Sequence, residues 1–330
     1  MSKYDPSIKA LVDQSDEQWG SQEKNRELLT PYGIEQLDLV TYGINTIKGE
    51  FILLQGEEKN RKTTFWLNVL VNIFMGPIGP YGEKKMRPYF RKPFTVVDVL
   101  ESGIDALTTK DLLIANVASR YLIANGHAPY GPCRECGAPS CRELHLSPKF
   151  LMFVNRSKQQ AQAINFAREE VGSWDLHIYG PSDFEGDTRN LTKSIDRWNR
   201  LIEEKDAKLF ITDHLQQYDQ GTSDYEILMN SVRGISNFVS KKKRAIIAVS
   251  QVSLTSIRNR ESGGKLDSSG GRKAAQEANT VLVTEYTSGQ PSLKIRIDRA
   301  RFARNITVTQ GIEEESGAFY DGQYEIETED

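Results

Sequence analysis

The sequence predicts an α/β domain built on a mostly parallel β-sheet flanked by helices. Apolar runs with the length and composition of buried strands occur at residues 51–55, 94–100, 207–213 and 244–250. Segments with the apolar spacing of helices separate these runs, as at residues 192–204 and 225–240. Strands that alternate with helices favour βαβ units, in which helices cover both faces of a parallel sheet.

The N-terminal part of the chain leads into this core. Residues 1–28 are polar with a weak helical pattern, and we interpret them as an N-terminal arm or linker helix before one large domain at 29–330. After the first strand, a polar loop precedes residues 63–74, whose apolar spacing fits a buried helix. This order predicts a strand, a loop and a helix.

Three later segments extend the sheet. Residues 176–180 fit a further short strand. A Gly, Ser and basic stretch at 255–273 then precedes two strand candidates, 279–286 and 292–298. We expect a loop followed by a hairpin-like extension of the sheet.

The composition limits the classes of function. A net charge of −3 and a pI near 6.0 argue against a protein that coats itself in nucleic acid, so any DNA contact must be local. We find no run near the roughly 20 apolar residues that span a bilayer, and the polar, acidic N-terminus is unlike a signal peptide. These features predict a cytoplasmic protein without a membrane partner.

A phosphate-binding loop is the first functional candidate. Residues 56–64, GEEKNRKTT, match the pattern G-x-x-x-x-G-K-[ST], except that Arg61 stands in place of the second glycine. In such a loop, backbone N–H groups and the next helix N-terminus hold phosphates, Lys62 reaches the outer phosphates, and Thr63 holds Mg²⁺. The alternative is an ordinary strand-to-helix turn that carries a Lys-Thr pair.

Arg61 makes this loop unusual. A side chain where glycine permits close backbone approach introduces strain, and the carboxylates of Glu57 and Glu58 oppose phosphate. Pairing with Glu57 and direct contact with phosphate are two ways in which Arg61 would offset this cost. The identity of residue 61 therefore bears directly on nucleotide affinity.

Polar residues follow three predicted strands at their carboxyl ends. Glu101 is placed to orient and deprotonate an attacking water, Asp213 to bind Mg²⁺ through water, and Gln251 to sense a γ-phosphate. Each residue alone also fits a strand-end cap or a solvated polar group. Their shared position beside the loop favours a nucleotide site.

The order of these motifs resembles the C-terminal motor domain of the DnaB-like replicative DNA helicases, in the RecA-like superfamily, over about residues 29–312. TPYGIEQLDLVTYGI resembles the family's lead-in, and VLES, FITDHLQQY and AVSQVSL follow the loop in the family's order. SSGGRKAAQEANTVLV resembles the segment after its DNA-binding loop, and IRIDRARFARNITV its closing strand and basic turn. The resemblance implies a RecA-like fold and an ATP-dependent helicase that acts on single-stranded DNA in replication.

The resemblance supports a set of site residues, with ATP and Mg²⁺ as cofactors. Nucleotide contacts are expected from Gly56, Glu57, Asn60, Arg61, Lys62, Thr63, Thr64 and Asp213. Catalytic roles are expected for Lys62, Glu101, Gln251, Arg299 and Arg301, and magnesium binding for Thr63 and Asp213.

Arg299 and Arg301 match the family's paired basic residues, which reach across a subunit boundary to the neighbour's γ-phosphate. This implies an arginine finger in trans. Without the resemblance, both arginines fit a solvated charged turn. A trans finger requires head-to-tail subunits, so the resemblance implies a homo-oligomeric ring, expected to be a hexamer.

A central channel of such a ring would be lined by the loops after Asp213 and Gln251. Phosphate contacts without base specificity are expected from Arg258, Arg260, Lys265, Arg272 and Lys273. A flexible basic surface loop is the alternative. The family's N-terminal domain, which meets primase, has no counterpart here, so we expect recruitment of other replication proteins to come from elsewhere or to be unnecessary.

A Cys-rich insertion at about residues 125–148 predicts a structural zinc site, and it is not part of the DnaB-like pattern. The ligands form a C-x2-C-x4-C-x3-H array of Cys133, Cys136, Cys141 and His145, with His127 as an alternative fourth ligand. Free thiols in a loop are the other interpretation.

Three functions compete at this point. The first is an ATP-driven motor that translocates on single-stranded DNA and separates duplex by sequential hydrolysis at subunit interfaces. The second is a weakly active or inactive RecA-like DNA-binding scaffold or helicase partner, which Arg61 favours. The third is a strand-exchange filament protein. The segments SGGRKAAQEAN and RARFARN favour the helicase branch over this third function.

Overall fold

A computed structural model describes residues 29–76, 93–100, 105–127, 141–144, 146–147, 151, 156–183, 190–218, 221–251, 271–300, 306–320 and 326–328. Its strands are β1 (Phe51–Gly56), β2 (Thr95–Val99), β3 (Leu176–Tyr179), β4 (Leu209–Asp213), β5 (Ala245–Gln251), β6 (Thr280–Tyr286), β7 (Ser292–Ala300), β8 (Ile306–Ile312), β9 (Phe319–Tyr320) and β10 (Ile326–Thr328). They form one ten-stranded sheet in the order β10-β8-β7-β6-β1-β5-β4-β2-β3, and β9 pairs with β8.

The parallel part of the sheet consists of β3, β2, β4, β5, β1 and β6. Strands β1, β2 and β4 are buried along their whole length. Burial on both faces explains why these strands are continuous apolar runs in the sequence and do not alternate. The strand predictions at 51–55, 94–100, 176–180, 207–213 and 244–250 are confirmed.

Seven helices accompany the sheet within the described ranges. They are α1 (Glu35–Thr41), α2 (Lys62–Met75), α3 (Ala106–Ala124), α4 (Lys158–Gly172), α5 (Leu191–Lys205), α6 (Asp224–Lys242) and α7 (Gly271–Glu277). Side-chain caps mark several of their starts. The Asn190 side chain accepts from Thr192 N at 2.8 Å before α5, and the Ser223 hydroxyl accepts from Glu226 N at 3.3 Å before α6.

Helices cover both faces of the sheet, as predicted. Along β1, Ile52 and Leu54 pack in the apolar core with α2, α3 and α4, whereas Phe51 and Leu53 pack in a second core with α5 and α6. This alternation follows from the opposite directions of successive side chains on a strand. In the second core, Trp198 lies with its ring centroid 5.4 Å from that of Phe210.

Strands β6, β7 and β8 extend the sheet in antiparallel fashion, which confirms the late hairpin. Gly56 pairs with Gln251 at the edge where the parallel strands end, here called the carboxyl edge. Strand β7 runs backwards, so its Arg299 pairs with Val281 near the opposite, amino edge. Strand β8 runs forwards and ends at Ile312 on the carboxyl edge.

None of the helices that the structure describes is long and apolar enough to cross a membrane. The N-terminal arm at residues 1–28 and most of the Cys-rich insertion lie outside the described residues.

Candidate phosphate-binding site at the carboxyl edge

The loop at residues 57–61 connects β1 to α2 and starts at a glycine that has no room for a side chain. A Cβ atom on Gly56 would lie 2.7 Å from Thr284 Oγ1 and 2.9 Å from Thr284 O. The second atom belongs to the backbone of β6 and cannot move aside cheaply. The first glycine of the pattern therefore lets the start of the loop lie against β6.

Arg61, in place of the second glycine, adopts the left-handed conformation with φ 56° and ψ 29°. This conformation costs a residue with a Cβ atom about 1–2 kcal/mol. The Arg61 guanidinium extends away from the loop: Nη2 donates to Glu314 O at 3.3 Å, and Cζ lies 4.8 Å from the Tyr286 ring centroid. Among the described contacts of Arg61 there is no ion pair with Glu57, so that way of offsetting the strain is not observed.

Lys62 is the first residue of α2, and its side chain is buried. Its Nζ donates to Gly56 O at 2.9 Å and also to Glu57 O. These bonds place the positive charge of Lys62 inside the loop, directly under its first residues.

Asp213, at the end of β4, meets the first turn of α2. Thr63 Oγ1 donates to Asp213 Oδ2 at 2.7 Å, and Trp66 Nε1 donates to the same oxygen at 2.8 Å. Both Asp213 and Trp66 are buried. The carboxylate that the sequence predicts as a magnesium residue is therefore held by two donors from one helix.

The geometry fits a phosphate group and Mg²⁺. No side chain caps α2 at Arg61, and its first turn holds no acidic residue. The free N–H groups and the positive end of the helix dipole favour an anion there. A hydroxyl and a carboxylate, as in Thr63 and Asp213, are oxygen ligands of the type that Mg²⁺ prefers.

Gln251 lies at the end of β5, next to Gly56 in the strand register. Its backbone N–H donates to Gln216 Oε1 at 3.2 Å, and Gln216 Nε2 donates to Gln251 O at 3.0 Å. Gln216 Nε2 also donates to Ser250 Oγ at 2.8 Å. The side chain of Gln216 therefore fixes the backbone of the strand end that carries Gln251.

Glu101 lies outside the described residues. The residue before it, Leu100, donates from its backbone N–H to Asp213 O at 2.6 Å. Strands β2 and β4 therefore end side by side.

The predicted trans arginines are far from the phosphate loop of their own subunit. Arg299 lies near the amino edge of the sheet, where its Nη1 donates to Ala275 O at 2.8 Å. That carbonyl belongs to the last turn of α7, which favours a cation. Arg301 lies outside the described residues.

Most of the predicted DNA contacts also fall outside the described residues, namely Arg258, Arg260 and Lys265. The backbone of Arg272 and Lys273 forms part of α7. Their DNA-binding role stays a prediction.

The predicted zinc ligands are only partly described. Cys141 and His127 are buried, and Cys141 Sγ lies 3.2 Å from His127 Nδ1. Cys133, Cys136 and His145 lie outside the described residues, and no group of three metal-ligating side chains occurs within the described ones.

Several side chains at the site were not predicted from the sequence. The pattern around Trp66 indicates only an apolar helix residue, although a buried indole N–H usually finds an acceptor. Gln216 lies three residues after Asp213 in a polar segment after a strand end, which is a usable signal. Thr284 gives no signal, because its contact with Gly56 arises from the pairing of β6 with β1.

No protein-family model and no curated protein matches the chain. Among solved structures, it is similar to one of an isolated ATPase domain, with a TM-score of 0.69, 15% identity, and coverage of 97% of this chain and 100% of that one. It is also similar to a DnaB-like replicative helicase described with its interactions with primase, with a TM-score of 0.68, 15% identity, and coverage of 97% and 68%.

A more distant similarity is to the RadB recombinase, with a TM-score of 0.52, 13% identity, and coverage of 89% of this chain and 100% of that one. At these identities the similarities establish the fold. The chain has a RecA-like α/β fold, with a mostly parallel sheet flanked by helices.

Proposed function

We propose that the chain is an ATP-dependent motor that forms a ring and acts on single-stranded DNA in replication, as a helicase or translocase. The observation that carries the proposal is the 2.7 Å hydrogen bond from Thr63 Oγ1 to Asp213 Oδ2, beside the uncapped start of α2. A hydroxyl, a carboxylate, the Lys62 ammonium and a helix N-terminus thus meet at the carboxyl edge of a RecA-like sheet, where such sheets bind ligands.

The residues of α2 would bind the nucleotide. Backbone N–H groups at the helix start and Lys62 would hold the outer phosphates, after Lys62 leaves the carbonyls of Gly56 and Glu57. Thr63 directly and Asp213 through water would hold Mg²⁺, which would neutralise charge on the phosphates.

The neighbouring strand ends would supply the chemistry of hydrolysis. Glu101, which follows β2, would orient and deprotonate the attacking water. Gln251, held by Gln216, would sense the γ-phosphate. This division gives the water and the phosphate separate partners.

A ring of subunits would complete the site. Arg299 lies near the amino edge and Arg301 follows it, so neither is placed to serve the phosphate loop of its own subunit at the carboxyl edge. In a head-to-tail ring, both would stabilise charge on the neighbour's transferring phosphoryl group. A hexamer is the proposed number.

Zinc binding by the insertion is proposed alongside. The 3.2 Å separation of His127 Nδ1 and Cys141 Sγ is close to the roughly 3.5 Å expected for nitrogen and sulfur on one tetrahedral zinc. Together with Cys133 and Cys136, this geometry favours His127 over His145 as the fourth ligand.

A second candidate function is a DNA-binding scaffold with little or no hydrolysis. The observation that favours it is the loop itself, because Arg61 is strained and Lys62 is bonded to loop carbonyls that it must release.

ATP hydrolysis with and without single-stranded DNA separates the two functions. Wild type is compared with Lys62→Ala and Glu101→Gln, and Lys193→Ala on the exposed face of α5 is the matched control. DNA-stimulated hydrolysis in wild type and the control, lost in the other two variants, supports the motor. Absence of hydrolysis in every protein, with DNA binding retained, leaves the scaffold.

A further inference from the structure

The turn after β8, at residues 313–318, is a rigid unit that packs against α2. The buried carboxylate of Glu313 accepts from Ser316 N at 2.7 Å and from Ser316 Oγ at 2.6 Å. Gly317 N donates back to Glu313 O at 2.9 Å, and Glu313 N donates to Ala318 O at 2.8 Å. These bonds hold the turn in one conformation without help from the loop.

Asn68 fixes this turn to α2, one turn of helix beyond Thr64. Its Nδ2 donates to Gly317 O at 2.8 Å, and its Oδ1 accepts from Phe319 N at 2.8 Å. A Cβ atom on Gly317 would lie 2.8 Å from Thr64 Cγ2, so the turn touches the helix directly. The buried guanidinium of Arg120 donates to Asn68 Oδ1 at 2.6 Å and holds the amide in place.

Arg61 is the third contact on the same face of α2, since positions 61, 64 and 68 follow helical spacing. Its guanidinium donates to Glu314 O in the turn and lies over the Tyr286 ring at the end of β6. The Tyr286 hydroxyl in turn donates to Glu314 Oε1 at 3.4 Å. We call the group of Arg61, Tyr286 and Glu314 the clasp.

The clasp explains how a non-glycine residue is tolerated in this loop. Arg61 and Lys59 both have positive φ, which strains the segment just before α2. A guanidinium over an aromatic ring and a charged hydrogen bond offset a cost of this size. The side chain thus holds the left-handed conformation that a glycine would adopt freely.

We propose that Arg61 is a positioning residue, which keeps the phosphate loop in its binding conformation by fastening it to Tyr286 and the 313–318 turn. It acts through the loop backbone and does not contact phosphate. This inference rests on the proposed nucleotide site.

The test is the dissociation constant for MgADP, measured by calorimetry on the full chain, with thermal unfolding of each variant alongside. The variants are Arg61→Ala, Arg61→Gly, Tyr286→Leu and the Arg61→Ala/Tyr286→Leu double variant. Arg233→Ala, an exposed arginine on α6, is the matched control, and Lys62→Ala tests the site itself.

We expect Arg61→Ala to bind MgADP about fivefold more weakly, because it keeps the left-handed strain and loses the clasp. Arg61→Gly should bind between wild type and Arg61→Ala, since glycine has no such strain but leaves the loop unfastened. Tyr286→Leu should weaken binding by a similar factor, and the double variant no further, because both changes break the same contact. Equal unfolding temperatures among these variants would exclude a general loss of structure.

Other outcomes overturn the inference in distinguishable ways. Additive losses in the double variant, with little loss in Tyr286→Leu, mean that Arg61 contacts phosphate itself. Tighter binding by Arg61→Ala means that Arg61 attenuates the site. If wild type and Lys62→Ala both fail to bind MgADP, the proposed function fails. If Lys62→Ala weakens binding but the Arg61 and Tyr286 variants do not, only the inference fails.

Discussion

Replacement of Trp66 by Phe tests how Asp213 is held. The change removes the 2.8 Å hydrogen bond from Nε1 to Asp213 Oδ2 and leaves Thr63 as the described side-chain donor to that oxygen. A bond to a charged group contributes about 1.5–3 kcal/mol, and the lost indole atoms at a fully buried position add about 1 kcal/mol. We expect the free energy of unfolding to fall by about 3 kcal/mol, measured by urea denaturation with circular dichroism.

The functional part of this prediction concerns Mg²⁺. With one donor lost, the Asp213 carboxylate is less well oriented, and we expect about tenfold more Mg²⁺ for half-maximal nucleotide binding, equivalent to about 1.4 kcal/mol. Trp198→Phe is the matched control, because Trp198 is equally buried and donates to Asp98 Oδ2 at 3.0 Å in the other core. Equal Mg²⁺ requirements in the two variants would show that the Trp66 bond serves stability alone.

Three further predictions concern a close approach, a buried acid and the zinc site. Gly56→Ala should abolish nucleotide binding and cost about 1–3 kcal/mol, because its Cβ would collide with Thr284 O. Burial raises the pKa of Asp38 to about 7, against the lowering effect of nearby backbone N–H groups, so urea denaturation should show stability falling between about pH 4 and about pH 7, and less so in Asp38→Asn. Cys141→Ser and His127→Ala should each lose the zinc that metal analysis finds in wild type at about one per chain.

Each of these predictions has an internal control. Gly172→Ala adds a Cβ with no atom within 4 Å, so it should leave both stability and nucleotide binding intact. The sign for Asp38 follows from a folded-state pKa above the unfolded value of roughly 3.9, because the folded protein then holds the proton longer as pH rises. An identical pH dependence in Asp38→Asn would contradict it. His177→Ala, an exposed histidine on β3, should keep its zinc.

The fold was predictable where burial on two faces requires a run of consecutive apolar residues. Strands β1, β2, β4 and β5 are uninterrupted apolar runs, so their type and order follow from the sequence. Helix α4 gave no prediction, although Ser157 and Gln160 form a capping box at its start. Its few buried residues are mostly alanine and isoleucine among charged neighbours, which makes its apolar stripe weak.

The site was predictable only where it is local in the chain or repeated at strand ends. Lys62 and Thr63 belong to one motif, and Asp213 follows from its position at the tip of a buried strand. The clasp was not predictable, because Arg61 and Glu314 are 253 positions apart and meet only through the pairing of β6, β7 and β8. The sequence left two partners open for Arg61, and the fold supplies a different one.

The same three strands give Arg61 a role beyond its own loop. Strands β7 and β8 form a ladder-paired hairpin, with the 313–318 turn following β8 at the carboxyl edge and Arg299 near the amino edge. Strand β8 spans roughly 20 Å between the two edges. In the proposed ring, the arginines serve the neighbour's nucleotide, while the turn touches the subunit's own phosphate loop. A hairpin held by backbone hydrogen bonds transmits a shift of the turn as a shift of the arginine segment, so the clasp joins two nucleotide sites through one stiff element.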